Sequence, residues 1–188
     1  GMPRPVLEDL LDRAQACHDS AIGRAQDGRG ALAGTAVCTL FFEPSTRTRL
    51  SFTLAAQRLD ADVMSFDAST SSAKKGETDT DTLRNLEAMG VRGFVIRHPD
   101  DGAVARLAGQ VQPGTCLLNA GDGRSAHPTQ GLLDMLTIAQ AKGRDFSQLK
   151  VLIVGDVKQS RVARTDLHAL RTLGTGEIRV CGPASLLP

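Results

Sequence analysis

The sequence predicts an α/β fold built on a mainly parallel sheet, and three observations carry that prediction. Strand-sized apolar runs alternate with segments of helical period along nearly the whole chain. Each pair of strands is separated by a helix-length crossover, which is what parallel pairing requires. Hydrophobic residues make up 41% of the 188 residues and charged ones 23%, the composition of a folded globular protein.

The elements follow in order. A first helix is expected from Val6 to Arg24, with Leu7, Leu10, Leu11 and Ala14 on one face. Gly28, Gly30 and Gly34 break that pattern before the strand Ala36–Phe42. After Pro44 a helix begins that carries Leu50, Leu54 and Leu59, and Asp62–Phe66 is the next strand. A Ser-, Thr- and Lys-rich stretch, Ala68–Glu77, has little to bury and reads as a loop. Then come a helix over Asp79–Met89, a strand over Gly93–Arg97, a short helix over Ala103–Leu107 and a strand over Thr115–Asn119. Pro128 opens a long helix to Ala141, and Lys150–Gly155, Arg161–Leu173 and Glu177–Cys181 read as strand, helix and strand. The polar stretch from Gly143 to Gln148 marks the expected boundary, giving one domain over 2–145 and the N-terminal part of a second over 146–188.

Composition narrows the function. Lys and Arg number 22 against 21 Asp and Glu, a net charge of +1, so no bulk field draws in nucleic acid or an acidic membrane. No apolar run reaches the roughly 18 residues needed to span a bilayer. Trp and Tyr are absent, which removes the usual stacking platforms for bases. Cys17, Cys38, Cys116 and Cys181 form no metal-ligand spacing, and three of them have apolar neighbours and read as small buried hydrophobes. Such sparse cysteine usage, with no signal-peptide core at the N-terminus, predicts a cytoplasmic protein, and no metal or other cofactor is expected.

Ligands of parallel α/β sheets bind outside the carboxyl ends of the strands. Polar clusters follow Phe42, Phe66, Ile96, Leu118 and Val154, and the richest is Phe42-Glu43-Pro44-Ser45-Thr46-Arg47-Thr48-Arg49. It sets hydroxyls and unpaired N–H groups at a helix start, where anions are attracted. A plain Ser N-cap with solvated arginines fits the same pattern. It accounts poorly for two arginines in a first helical turn, where the dipole disfavours cations unless an anion offsets them.

This stretch resembles the carbamoyl-phosphate signature of the aspartate and ornithine carbamoyltransferases. Further stretches agree in order and spacing: Ser71-Ser72-Ala73-Lys74-Lys75-Gly76-Glu77, Arg97-His98-Pro99, Asn119-Ala120-Gly121-Asp122-Gly123 and His127-Pro128-Thr129-Gln130. The resemblance covers essentially the whole chain. The Lys-Lys-Gly-Glu loop and Arg-His-Pro look like the aspartate branch of the family.

The resemblance implies carbamoyl transfer from carbamoyl phosphate to the amino group of L-aspartate, in de novo pyrimidine synthesis. It gives Ser45, Thr46, Arg47 and Thr48 the phosphate, and Arg47 also the charge that builds on it as it leaves. It sets Thr48, Arg97 and His127 around the carbamoyl oxygen and Gln130 on the carbamoyl NH2, and it makes Arg161 the arginine for the aspartate α-carboxylate. Ser71 and Lys75 would enter from an adjacent subunit, which implies a homotrimer with shared sites; a regulatory chain or a dihydroorotase-like partner is compatible with it. His18, His98 and His168 are expected to be structural.

Each of these residues has a plainer reading beside the implied one. His127 suits a local cap, Lys74 and Lys75 a solvated loop, Arg97 a pairing with Asp100 or Asp101, and Arg161 an ordinary first-turn position. Members of the family also continue beyond the second strand of the aspartate-binding domain. The expectation is therefore of a C-terminally truncated catalytic chain, in which these 188 residues bind carbamoyl phosphate or phosphate weakly and turn over poorly or not at all.

Overall fold

A computed structural model of the chain describes residues 2–23, 30–67 and 77–188. In order they form α1 (Arg4–Gly23), β1 (Ala36–Phe41), α2 (Thr46–Arg58), β2 (Asp62–Asp67), α3 (Asp79–Ala88), β3 (Val91–His98), α4 (Ala103–Ala108), β4 (Cys116–Asp122), α5 (Pro128–Lys142), β5 (Lys150–Val154), α6 (Arg161–Thr172) and β6 (Glu177–Cys181). Single turns of 3-10 helix occupy Phe146–Gln148 and Ala184–Leu186. The alternation is the expected one, and the chain is an α/β protein.

The chain divides into two compact units, one of Gly28–Gly123 and one of Gly1–Asp27 with Arg124–Pro188. In the first, four parallel strands run in the order β2-β1-β3-β4. Central strand β1 is buried from Val37 to Phe41, so its residues serve both faces of the sheet. Cys38, Leu40, Phe94 and Ile96 point to one face and pack against Leu83 and Leu86 of α3 and Val104 and Leu107 of α4. Val37, Phe41 and Val95 point to the other and meet Phe52 and Ala56 of α2. Helices thus cover both faces of the sheet.

Local signals set the helix ends. At α3 the Thr78 side chain accepts from the Asp81 N–H while Asp81 accepts from the Thr78 N–H, a reciprocal capping box. At α2 the leucine stripe turns outward: Leu50 is 61% exposed and Leu54 49%, because Phe52 and Ala56 take the sheet-facing positions. Strands β3 and β4 run further than the apolar pattern indicated, to His98 and Asp122, since backbone pairing continues through polar residues.

The second unit holds the two-stranded parallel sheet β5-β6. Its core joins Leu7 and Leu11 of α1, Met135 and Ala139 of α5, and Ala169 and Leu170 of α6, with Val151 and Ile178 of the sheet beside them. By compactness, α1 and α5 therefore group with the segment after 146, whereas the polar boundary put them with the first domain.

The cysteine expectation is corrected. Only Cys38 is buried, and its thiol is pushed up to about 12 by that burial; Cys17, Cys116 and Cys181 are exposed. Apolar neighbours along a strand or helix do not put a residue on the covered face. Among the described residues no helix is long and apolar enough to cross a membrane.

Phe94 is 1% exposed at the centre of the larger sheet. Phe94→Ala is expected to lower the stability of the chain by about 3–5 kcal/mol, read as a shifted urea midpoint at unchanged slope.

Candidate functional site

The first unit gathers its polar residues at the carboxyl ends of β1 and β3. The chain leaves β1, passes through Pro44 and enters α2 at Thr46. Ser45 sits at the N-cap, but its side chain accepts no capping hydrogen bond, and the first turn holds no acidic residue. The plain-cap reading of Ser45 is therefore not what the structure shows. Thr46, Arg47 and Thr48 form the first turn, with Thr46 and Arg47 exposed and Thr48 half-buried. This leaves a helix N-terminus with N–H donors, hydroxyls and the guanidinium of Arg47, which has no carboxylate partner among the described residues.

Arg97 reaches the same turn from the end of β3. Its Nε donates to Glu43 Oε1 at 2.6 Å, and one terminal nitrogen lies 3.5 Å from both Thr48 Oγ1 and the Ala120 carbonyl. The side chains of Arg97 and Glu43 are 15% and 24% exposed, so the pair is only partly screened by water. Arg97 thus pairs with Glu43 and not with Asp100 or Asp101, as its plainer reading had it. Glu43 is the residue to which the sequence alone assigned no role; its signal was a carboxylate immediately before the Pro-Ser-Thr-Arg stretch.

Neighbouring His98 is buried and held at both ring nitrogens. It is 4% exposed, one ring nitrogen is 3.0 Å from Asp79 Oδ2 and the other accepts from the Asp100 N–H at 2.9 Å. Its ring also packs on Phe42, with centroids 4.8 Å apart.

The second unit carries His127, Gln130 and Arg161. His127 is the N-cap residue of α5, 8% exposed, and Pro128 follows it in the first turn. Its N–H donates to Thr165 Oγ1 of α6 at 2.9 Å, and that hydroxyl donates in turn to the Arg161 carbonyl at 2.8 Å. Ser160 caps α6 by accepting from the Ala163 N–H, which sets Arg161 in the first helical turn. One threonine therefore ties the start of α5 to the first turn of α6.

A second tie lies one turn along. Gln130 donates from Nε2 to Asp134 Oδ1 at 3.0 Å. Asp134 also stands beside Asp166 of α6, whose carboxyl is pushed up to about 7 by burial and then by the neighbouring Asp134 charge. Gly131 makes the approach of the two helices possible: a Cβ there would stand 2.6 Å from Thr165 Cγ2 and 3.6 Å from Asp166 Oδ1.

The structure thus brings Thr48 and Arg97 together in one unit, and His127, Gln130 and the helix of Arg161 together in the other. Ser71 and Lys75 lie outside the described residues. Among those described, no group of three or more His, Cys, Asp or Glu is placed to hold a metal ion.

A parallel sheet whose carboxyl edge presents an uncapped helix N-terminus beside a braced arginine defines an α/β protein equipped for an anionic ligand. Residues 2–140 match the family described as aspartate/ornithine carbamoyltransferase, carbamoyl-P binding domain, and the chain belongs to that family. It is 76% identical over all 188 residues to the aspartate carbamoyltransferase catalytic subunit of Stenotrophomonas maltophilia (strain K279a) and covers 60% of that protein. The same identity relates it to the catalytic subunit of Xanthomonas campestris pv. campestris (strain B100), of which it covers 59%. Among solved structures, the Trypanosoma cruzi aspartate transcarbamoylase in complex with carbamoyl phosphate aligns with 100% of the chain at 33% identity and a TM-score of 0.85, over 57% of its own length. The catalytic subunit of the M. jannaschii aspartate transcarbamoylase aligns likewise, at 34% identity and a TM-score of 0.86, over 60% of its length. The chain spans about 60% of the length of the curated relatives it matches.

Two outcomes follow from the α5–α6 approach. Gly131→Ala is expected to destabilise the chain by about 1–3 kcal/mol although Ala is the better helix former. The reason is that Thr165 cannot rotate away without losing both of its hydrogen bonds. Thr165→Ser, which removes the obstructing methyl, should restore the melting temperature of the alanine variant. Asp166 keeps its proton to about pH 7 in the folded chain and loses it near the ordinary carboxylate value, about 4, when unfolded. The folded state then binds more protons across that window, so stability falls as pH rises through it and levels off above. Thermal melts should show Asp166→Asn with a shallower fall than the wild type over the same range.

Proposed function

We propose that the chain carries the carbamoyl-phosphate-binding machinery of an aspartate carbamoyltransferase, which transfers a carbamoyl group from carbamoyl phosphate to L-aspartate. The products are N-carbamoyl-L-aspartate and phosphate, in de novo pyrimidine synthesis. In this reading residues 2–145 are the carbamoyl-phosphate domain and 146–188 the N-terminal part of the aspartate-binding domain. The observation that carries it is the uncapped start of α2, with Arg97 held at Thr48 by Glu43. The names of the relatives, and the carbamoyl phosphate bound in the Trypanosoma cruzi structure, support the same reading.

The chemistry asks for these residue types. The uncharged amino group of aspartate attacks the carbamoyl carbon, the C=O electrons move onto oxygen, and collapse expels phosphate. Hydroxyls and N–H groups of Ser45, Thr46, Arg47 and Thr48 bind the phosphate, and the charge of Arg47 grows in value as the leaving group takes up negative charge. Thr48 and Arg97 donate to the carbamoyl oxygen. From the other unit, the resemblance assigns His127 to that oxygen, Gln130 to the carbamoyl NH2 and Arg161 to the aspartate α-carboxylate. Holding both reactants in place converts a bimolecular step into a nearly unimolecular one. No side chain is needed as general base, since the departing phosphate can take the amine proton.

The reading extends to a cytoplasmic homotrimer in which Ser71 and Lys75 complete a neighbour's site. The catalytic-subunit names of the relatives agree with an assembled enzyme.

Calorimetric titration with carbamoyl phosphate tests the reading, with carbamoyl-aspartate formation followed in parallel and ornithine offered as the alternative acceptor. Arg47→Ala is expected to reduce whatever turnover the chain supports by about a hundred- to a thousandfold, the scale of one lost transition-state donor. Binding of carbamoyl phosphate should weaken with it. Unchanged binding and turnover in that variant would overturn the proposal.

A further inference from the structure

Asp166 is a carboxyl group in the wrong place for a charge. It sits on α6 against α5, its Oδ1 is buried without a hydrogen-bond partner, and the charged group facing it from α5 is Asp134, another carboxylate. Its neighbours one turn away on its own helix, Val162, Ala163, Ala169 and Leu170, are apolar. The acidic residues near the start of α1, which packs on α5, are paired with cations: Glu8 with Arg4, Asp9 with Arg13 and Asp12 with Arg144. Among the described residues, the charge that bears on Asp166 is that of Asp134, which opposes its ionisation. A neutral acid, by contrast, has a use there, because its O–H can donate to Asp134.

Asp134 in turn accepts from Gln130 Nε2 at 3.0 Å. A side-chain amide can present either its NH2 or its carbonyl to a ligand, and only a fixed partner decides which. With Nε2 committed to Asp134, Oε1 is the atom left to accept from a ligand N–H. Gly131, lying between Gln130 and Asp134 in the chain, brings α6 close enough for this, since a Cβ there would press on Thr165, the residue before Asp166.

We propose that Asp166 is a positioning residue which, as its neutral acid, holds Asp134 by a hydrogen bond and thereby fixes the orientation of the Gln130 amide. Ionisation of Asp166 sets two carboxylates against each other across the helix pair. Asp134 then moves off, and Gln130 loses the partner that orients it. The orienting role rests on the Gln130–Asp134 hydrogen bond, on the buried Oδ1 of Asp166 beside Gly131 and on the closeness of the two carboxyl groups across α5 and α6. Its effect on a carbamoyl NH2 rests on the function proposed above.

The test is a pH titration of the chain by NMR, following the Asp166 carboxyl carbon and the Gln130 side-chain NH2 together. Both should move with one shared midpoint, near the value of about 7 given by the surroundings of Asp166. In Asp166→Asn, whose amide can donate to Asp134 at every pH, the Gln130 signals should stay at the wild-type low-pH position throughout. A midpoint for Asp166 in the ordinary carboxylate range would overturn the proposal, as would Gln130 signals that ignore the titration. Should Asp166→Asn fail to fold, Asp134→Asn serves: loss of the like charge should lower the Asp166 midpoint, and an unmoved midpoint counts against the proposal.

A ligand arm separates this from the function itself. Between about pH 6 and about pH 8, carbamoyl phosphate affinity of the wild type should fall by about two- to tenfold more than that of Asp166→Asn, the worth of one oriented hydrogen bond. An equal fall in both proteins would overturn the link to the ligand. Coupled titration in a chain that binds no carbamoyl phosphate at either pH would uphold the positioning role and sink the proposed function instead.

Discussion

Arg97 leaves the end of β3 as a long, permanently cationic side chain with several rotamers open to it, and Glu43 decides among them. The 2.6 Å contact to Glu43 Oε1 draws the guanidinium to the start of α2. Both partners are largely withdrawn from water, so their attraction is weakly screened. The contact is therefore more than a tether. It compels the segment after β1 and the end of β3 to stay together, and the parallel register that pairs Leu40 with Ile96 and Phe41 with Arg97 makes that possible. An arginine anchored this way loses little further entropy on meeting a ligand, which is what preorganisation requires.

In the other unit the deciding constraint is steric. The absent side chain of Gly131 lets Thr165 nest against α5, and its hydroxyl then serves two backbones at once, accepting from His127 and donating to Arg161. Glycine inside a helix carries a propensity cost of about 1 kcal/mol. The close crossing offsets it by making two hydrogen bonds and a shared carboxyl pair accessible. A residue that weakens its own helix is kept because it strengthens the contact between two.

The strands and helices were legible because the apolar spacing that buries them is local, and all twelve elements appear within a few residues of expectation. The anion-accepting start of α2 was legible for the same reason: cap, hydroxyls and arginines are consecutive in the chain. What escaped was non-local. Glu43 and Arg97 are 54 residues apart, and nothing in either neighbourhood says that they meet. Asp134 and Asp166 look like ordinary polar positions on two amphipathic helices until α5 and α6 are packed. The cysteines misled in the opposite direction. Cys116 and Cys181 have apolar neighbours, but each lies at an exposed strand position, so its surroundings in sequence and in space differ. Leu50 and Leu54 repeat the lesson on α2, where spacing identifies a stripe without saying what it faces.

The two units hold their polar residues by opposite electrostatic means. Around Arg97 a partly buried charge is offset by a counter-ion beside it, and a pair of this kind is only weakly screened by salt. Around Asp166 a carboxyl stays neutral because its surroundings refuse the charge, through burial first and Asp134 second. The first device is an ion pair between two residues of the same unit. The second is set to change near neutrality. Orientation of Gln130 is thus the more conditional of the two, held by a proton that water can remove, whereas Arg97 is held by a partner that the chain itself supplies.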